Sequence, residues 1–172
     1  MASKEKLGYQ HLEHGFPACY DEQSEILILG SFPSVKSREI SFYYGHPQNR
    51  FWSVLSEVFG ENIGKSIDDK RIFLHHRHIA LYDVIDQCDI LGSSDASIKN
   101  PVITDIFSIL KATKIKKILL NGKKAGNLFA KYQKTIIESG IPFSVLPSTS
   151  PANAAMRLDD LVRIWKEALS ES

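Results

Sequence analysis

Four short, mostly apolar segments, separated by stretches with helical spacing, constrain the fold of this chain more than any other feature. Each is too short for a core helix, and the first and third run directly into glycine or asparagine–glycine. Apolar runs of this length are typical of strands that are buried on both faces. The four predicted strands are residues 26–29, 79–82, 117–120 and 143–146.

The segments between these strands place apolar residues every three or four positions, as amphipathic helices do. The predicted helices are residues 49–59, 102–110 and 125–137, and a last helix with Ser150 as N-cap and Pro151 as its first residue. Strands that alternate with helices need crossover connections. The predicted fold is therefore α/β, a three-layer α/β/α sandwich around a central, mainly parallel four-stranded sheet. We expect residues 1–172 to form one domain, with residues 1–15 as a candidate for a loosely ordered segment.

Composition and charge exclude several classes of protein. The 172 residues are 43% hydrophobic and 24% charged, which is ordinary for a globular domain. No apolar run approaches the roughly 18 residues that span a membrane, and the N-terminus has no apolar signal segment. Two cysteines, Cys19 and Cys88, exclude a disulfide framework and a four-cysteine metal site. A reduced, cytoplasmic protein is expected.

The net charge of +1 indicates no partner, but the charges are unevenly distributed. Eight lysines and no acidic residue lie between Lys111 and Lys134. Such a run is typical of a nucleic-acid-binding face and also of an ordinary solvated surface. The sequence leaves both interpretations open.

The segments that follow the predicted strands form the candidate site, because ligands of parallel sheets bind outside the carboxyl ends of the strands. Residues 30–34 follow the first strand, and an aromatic and polar run, residues 42–52, comes soon after. Asp83 follows the second strand and residues 121–124 follow the third. Residues 147–153 follow the fourth; their hydroxyls and the start of the last helix suit a phosphate or an ordinary capped turn.

Three of these segments together resemble the uracil-DNA glycosylase superfamily, and within it the hypoxanthine-DNA glycosylase branch. They are Gly-Ser-Phe-Pro-Ser at 30–34, Tyr-Gly-His-Pro-Gln-Asn-Arg-Phe-Trp at 44–52 and Leu-Pro-Ser-Thr-Ser-Pro-Ala-Asn at 146–153. The second segment also resembles the mismatch-specific uracil-DNA glycosylases. The likeness extends over roughly residues 16–169. It implies a monofunctional DNA repair enzyme that hydrolyses the N-glycosidic bond of a flipped deaminated base, hypoxanthine or uracil, and leaves an abasic site.

The resemblance also implies roles for individual residues. Phe32 stands where the superfamily usually has a polar residue that orients water, so the catalytic role passes to Asn49, as in the hypoxanthine branch. Base binding is expected from the amides of Ser31 and Phe32 and from the ring of Tyr44. The implied DNA phosphate-binding residues are Ser34, Ser148, Thr149, Ser150 and Asn153.

Asp83 is a further candidate for base binding, on chemical grounds. An ionised carboxylate only accepts hydrogen bonds. Hypoxanthine N1–H and uracil N3–H are donors, whereas adenine N1 and cytosine N3 are acceptors. Asp83 facing that edge would favour deaminated bases, and the alternative is that it caps the next turn. The expected partner is double-stranded DNA with a deaminated base, with single-stranded DNA as a further candidate, and the expected state is a monomer.

Two other classes of function remain open on the sequence alone. A serine hydrolase would use Ser31, although the Gly-x-Ser-x-Gly spacing of a nucleophile elbow is missing. A non-catalytic nucleotide-binding module would use residues 148–153 for a free phosphate, although a glycine-rich phosphate motif is missing. His75, His76 and His78 lack the spacing of a helical metal pair, so neither a metal nor a cofactor is expected.

Overall fold

The chain alternates between strands and helices along most of its length. The computed structural model describes residues 8–92 and 94–170. The strands are β1 Tyr9–Glu13, β2 Ile26–Gly30, β3 Ile79–Asp83, β4 Ile85–Leu91, β5 Lys99–Ile103, β6 Lys117–Asn121 and β7 Phe143–Leu146. The helices are α1 Val35–Ile40, α2 Phe51–Phe59, α3 Ile67–His76, α4 Ile106–Ala112, α5 Lys123–Tyr132, α6 Lys134–Glu138 and α7 Leu158–Ser170.

The four predicted strands form one parallel sheet, in the order β3-β2-β6-β7. Side chains alternate along each strand, so neighbouring residues face opposite layers. Ile28 packs against the layer of α2, α3 and α7, where Trp165 is fully buried. Leu27 and Leu29 face the layer of α4, α5 and α6, where Phe129 is fully buried. The predicted three-layer sandwich with a central parallel sheet is confirmed.

A second, antiparallel sheet of order β1-β4-β5 was not predicted. The predicted helix 102–110 is wrong in its first part, because residues up to Ile103 belong to β5, which pairs with β4. Pro101, immediately before the predicted helix, lies in an edge strand, where its missing N–H is tolerated. Helix α4 begins after Asp105, whose Oδ1 accepts a hydrogen bond from the N–H of Ser108 at 3.1 Å.

The N-terminal segment differs from the expectation as well. Residues 9–13, which were a candidate for loose order, form β1 and pair with β4 from Tyr9 opposite Leu91 to Glu13 opposite Gln87. The rest of that expectation, for residues 1–7, lies outside the described residues. β1 therefore fixes the position of the chain immediately after it.

Several helix boundaries also differ from the prediction. Helix α2 begins at Phe51, and the predicted helix 125–137 is two helices, α5 and α6, separated at Gln133. The prediction that Ser150 and Pro151 open the last helix is wrong, because α7 begins at Leu158. Of the helices in the described ranges, none is both long and apolar enough to cross a membrane.

Candidate functional site

A cavity of about 380 Å³ opens at the carboxyl edge of the parallel sheet. This volume lies within the range of about 300–1,000 Å³ that is usual for small-ligand sites. Its walls come from the ends of β2, β3 and β6, from the loop before α2, and from the loop after β7. The cavity lines up with the place where parallel sheets bind ligands.

Nine of the ten predicted site residues line this cavity, although they come from distant parts of the chain. The nine are Ser31, Phe32, Ser34, Tyr44, Asn49, Asp83, Ser148, Thr149 and Ser150. Asn153 is not part of the wall. Asn121 on the wall, and His14, which bonds Asp83 without lining the cavity, were assigned no role from the sequence. Asn121 was detectable, because it ends the third predicted strand; no feature of the sequence indicates His14.

Asp83 is buried at the end of β3 and is held by a histidine. Its Oδ2 accepts a hydrogen bond from Nε2 of His14 at 2.7 Å, and the two residues are 4% and 1% exposed. Its Oδ1 makes no hydrogen bond to a described residue. A Cβ at Gly30 would lie 2.5 Å from this Oδ1, so only glycine allows the carboxylate to occupy this position. The interpretation of Asp83 as an ordinary turn cap finds no support, because no backbone N–H in the described residues is bonded to its carboxylate.

Tyr44 stands beside Asp83 on the cavity wall. Its hydroxyl oxygen lies 3.4 Å from the same Cβ position at Gly30. One face of its ring stacks on Phe51, with centroids 3.9 Å apart and an angle of 21° between the planes. Burial raises the pKa of the Tyr44 hydroxyl well above its usual range; the Asp83 carboxylate raises it further, and the Asn121 amide opposes the shift. Tyr44 therefore stays neutral at neutral and mildly alkaline pH. Tyr43, by contrast, belongs to the core and donates its hydroxyl to the carbonyl of Pro17.

Asn49 projects from the loop before α2. Its Oδ1 accepts hydrogen bonds from the N–H of Phe51 at 2.9 Å and from the hydroxyl of Thr149 at 2.8 Å. Both lone pairs of this oxygen are thus used. Asn49 was expected to orient water. With its oxygen in use, the group left for the cavity is the amide nitrogen Nδ2, which has no hydrogen-bond partner among the described residues.

Thr149 joins Asn49 to Asn121. The Asn121 amide donates to the Thr149 hydroxyl at 3.0 Å, and its oxygen accepts from the Thr149 N–H at 3.0 Å. The Thr149 carbonyl in turn accepts from the N–H of Arg50. Thr149 is fully buried, with its hydroxyl used as donor and acceptor. Its predicted contact with a DNA phosphate conflicts with this burial, and the geometry makes it a residue that orients Asn49.

Thr149→Val tests this correction. Valine has the same shape but leaves the Asn121 amide and Asn49 Oδ1 without the hydroxyl, so we expect catalytic turnover of a DNA substrate to fall about 3- to 10-fold. Affinity for that DNA and its salt dependence should stay unchanged, because no phosphate contact is lost. Rates and equilibrium binding at several salt concentrations measure both. A weaker affinity with a shallower salt slope would indicate that Thr149 does contact a phosphate. Ser148→Ala, at a neighbouring wall residue, serves as the comparison.

The loop after β7 is folded by its own polar groups. The Ser148 hydroxyl accepts from the N–H of Ser150, and the Ser150 hydroxyl accepts from the N–H of Ala152. The Asn153 amide donates to the carbonyl of Ser148 at 3.0 Å, which explains its place behind the wall. Arg50 donates to the carbonyls of Met156 and Asn153 at 2.6 and 2.9 Å. Because no helix begins here, no helix N-terminus is available to bind a phosphate at this loop. The non-catalytic nucleotide-binding alternative loses that part of its support.

The rim of the cavity carries positive charge and small polar groups. Lys36 and Arg38, both on α1, lie on the cavity wall. The Ser34 hydroxyl caps α1 by accepting from the N–H of Ser37 at 3.1 Å, and it donates to the Ser37 hydroxyl. The lysine run does not form one face at this edge. Lys114 and Lys116 lie at the opposite end of β6, where they bond Gln23 and Glu25.

The geometry does not favour a serine hydrolase at Ser31. A nucleophile elbow holds its serine on a strained turn, whereas the described residues with positive φ other than glycine are Ser41, Tyr44, His78 and Asn100. His14 uses Nε2 for Asp83, and its Nδ1 has no partner among the described residues, so it does not link a serine to an aspartate. His75 lies on α3, outside the cavity wall, with its Nδ1 3.2 Å from Oδ2 of Asp21. No cluster of three or more potential metal ligands occurs in the part of the chain that the structure describes.

Comparison with known proteins gives consistent matches. The model of the uracil DNA glycosylase superfamily matches residues 17–169. A Methanosarcina acetivorans protein named hypoxanthine DNA glycosylase is 41% identical over 145 residues, which cover 83% of this chain and 89% of that protein. A Methanosarcina barkeri protein of the same name is 39% identical over 144 residues, with 82% and 88% covered. A solution NMR structure of a Methanosarcina acetivorans protein, provisionally designated a uracil DNA glycosylase, superimposes with a TM-score of 0.77 at 34% identity, covering 94% of this chain and 100% of the other.

Proposed function

This chain belongs to the uracil DNA glycosylase superfamily, and we propose that it is a monofunctional glycosylase that removes deaminated bases, hypoxanthine foremost, from double-stranded DNA. The two relatives named hypoxanthine DNA glycosylase support the choice of base. The family resemblance predicted from the three motifs is confirmed by the match over residues 17–169. The enzyme acts as a monomer on cytoplasmic, nucleoid DNA in this proposal.

The reaction requires the base to leave the helix. A base inside a duplex is out of reach, so the enzyme flips it into a pocket, which costs a few kcal/mol and least for a mispaired base. Water then forms a bond to C1′ as the bond from C1′ to the base nitrogen breaks, and the base leaves with the bonding electrons. The sugar passes through a cationic, oxocarbenium-like transition state, as in other glycoside hydrolysis. The departing base takes up the proton that the attacking water loses, and the products are an abasic site and a free base.

The observation that carries the proposal is the buried Asp83 carboxylate on the cavity wall. Its Oδ1 has no other hydrogen-bond partner among the described residues, and it accepts N1–H of hypoxanthine or N3–H of uracil. Adenine and cytosine present an acceptor at that atom. A carboxylate oxygen that faces an acceptor is left without a hydrogen bond in a buried site, which is costly. The wall thus discriminates by hydrogen-bond polarity.

Asn49 and Tyr44 complete the pocket in this proposal. Asn49, with its oxygen fixed by Phe51 and Thr149, presents Nδ2 to the attacking water and holds it in place; as an amide it orients the water but does not deprotonate it. Tyr44, backed by Phe51 on one face, offers the other face for stacking with the base. The backbone amides of Ser31 and Phe32 serve the base carbonyl.

The DNA backbone is held at the rim. Ser148 and Ser150 contribute small hydroxyl groups, and Lys36 and Arg38 contribute charge that neutralises phosphates. Ser34, whose hydroxyl already donates to Ser37, acts by holding the start of α1 at the rim. Asn153 acts by shaping the loop through Ser148. Because these contacts follow a single backbone, single-stranded DNA is a further candidate substrate. Neither a metal nor a cofactor takes part in this mechanism.

End-labelled duplexes with one inosine, uracil, xanthine or adenine at the same position test the proposal directly. Incubation in EDTA followed by hot alkali should cut the inosine strand, because alkali breaks the chain at an abasic site. The adenine duplex is the matched control and should stay intact. The absence of an abasic site from both inosine and uracil would overturn the enzymatic proposal, and cleavage without alkali would contradict a monofunctional enzyme.

A further inference from the structure

A buried histidine from the N-terminal sheet reaches the base-reading carboxylate. His14 follows β1, and its backbone N–H donates to the carbonyl of Asp86 on β4 at 2.7 Å. This bond places the imidazole beside the neighbouring end of β3. There Nε2 donates to Oδ2 of Asp83 at 2.7 Å, with both side chains almost inaccessible to solvent.

Aromatic side chains surround the His14 ring and limit its orientation. The centroids of Phe16, Tyr82, Tyr43 and Phe32 lie 4.4, 5.2, 5.9 and 6.4 Å from its own. Nδ1 is buried among these groups without a hydrogen-bond partner in the described residues. A carboxylate only accepts, so the proton of the 2.7 Å bond lies on Nε2. The imidazole therefore has one polar contact, and that contact is with Asp83.

We propose that His14 is a positioning residue. By bonding Oδ2 of Asp83, it leaves only Oδ1 to accept a hydrogen bond from the base, and so sets the specificity for the deaminated base. The inference rests on the proposed function, in which Asp83 reads the base. The two oxygens of an unrestrained carboxylate are equivalent, so the group could rotate and present either oxygen to the base. His14 occupies Oδ2, and this fixes Oδ1 above Gly30 and beside the Tyr44 hydroxyl.

The consequence is a site whose acceptor cannot adapt to the wrong base. Where a polar group is held rigidly, a base with an acceptor at the same place meets an unpaired oxygen and is rejected. Without His14, Asp83 can turn or take up water, and the preference for a donor weakens. His14 thus acts on selectivity through Asp83 and not through contact with the base.

The same strand offers a matched control. His11 on β1 contacts Asp89 on β4 through Nδ1 at 3.0 Å, but it is exposed and lies outside the cavity wall. His14→Phe removes the N–H donor and keeps an aromatic ring, and His14→Leu is a smaller donorless variant should phenylalanine prevent folding. His14→Gln places an amide N–H near the position of Nε2. His11→Phe removes the other histidine–aspartate contact of the strand.

Single-turnover rates on inosine and adenine duplexes, with thermal unfolding of every variant, test the inference. We expect His14→Phe to lower the inosine rate about tenfold and to reduce the ratio of the inosine to the adenine rate. His14→Gln should restore both to within about threefold, although it lacks the aromatic ring, and His11→Phe should match the wild type. A folded His14→Phe or His14→Leu enzyme with the wild-type rate and ratio would overturn the inference, as would a loss that glutamine does not rescue.

A double-mutant cycle separates action through Asp83 from general damage. If His14 acts only through Asp83, the double variant His14→Phe/Asp83→Asn should be no slower than Asp83→Asn. Losses that multiply would show independent roles and overturn the inference. A wild-type enzyme that releases hypoxanthine beside a fully active His14→Phe enzyme defeats the inference alone. A wild-type enzyme that releases no base defeats the proposed function, and the inference with it.

Discussion

Asn49→Ala is expected to slow the release of hypoxanthine from an inosine duplex by about 10²- to 10³-fold, while affinity for that duplex stays within about threefold. A large loss is expected because, in the proposed mechanism, Asn49 holds the attacking water in a pocket where positioned hydrogen bonds replace bulk solvent. Affinity should persist because the proposed phosphate contacts are made by other residues of the cavity wall. Single-turnover kinetics and fluorescence anisotropy measure the two quantities separately. A variant with the wild-type rate would move the catalytic role elsewhere.

Asn49→Asp is the control that identifies the working atom. Its carboxylate still accepts from the Phe51 N–H and the Thr149 hydroxyl, so the start of α2 is preserved. Alanine loses these bonds and should cost about 1 kcal/mol of stability. In aspartate, a second carboxylate oxygen replaces the amide nitrogen Nδ2, so the group that faces the cavity changes from a donor to an acceptor. We expect it to remain at least about tenfold slower than the wild type. Wild-type activity would show that an acceptor holds the water.

Asp83→Ala is expected to lower the preference for inosine over adenosine by about 10²-fold. It removes the acceptor for N1–H and also leaves the His14 N–H buried without its partner, which should cost about 1–3 kcal/mol of stability. Rates on duplexes that differ only in the target base, together with denaturant unfolding, check both effects. Asp86→Ala is a matched control, because this carboxylate lies outside the cavity wall. Unchanged selectivity would remove Asp83 from base recognition.

The parallel sheet was predictable because burial on both faces leaves a simple signal. Helices cover both faces of β2, so its residues are apolar without interruption from Ile26 to Leu29. The antiparallel sheet has no such signal. β1 is half exposed, β4 mixes aspartate and glutamine with apolar residues, and Pro101 in β5 resembles a helix start. These strands are specified by pairing with each other more than by their own composition.

The candidate site was predictable where a residue follows a strand or belongs to a recognisable motif. Asp83 and Asn49 satisfy these conditions, and the structure places them on the wall of the same cavity. The hydrogen-bond partners of a side chain cannot be predicted from the residues next to it in the sequence. Thr149 has the polarity of a phosphate ligand, but it is buried between two asparagines. His14 is 69 positions from Asp83, and only the pairing of β1 with β4 brings them together.

The pairing of β1 with β4 also affects which N-terminal residues the proposed activity requires. The match to the superfamily model begins at residue 17, beyond His14. A chain trimmed to that boundary would still contain every residue of the parallel sheet, but it would lack β1 and the His14 imidazole that bonds Asp83. Without His14, the enzyme is expected to release hypoxanthine more slowly and with a smaller preference over adenine. In the proposed mechanism, selectivity therefore depends on His14, which lies outside the residues that the superfamily model matches.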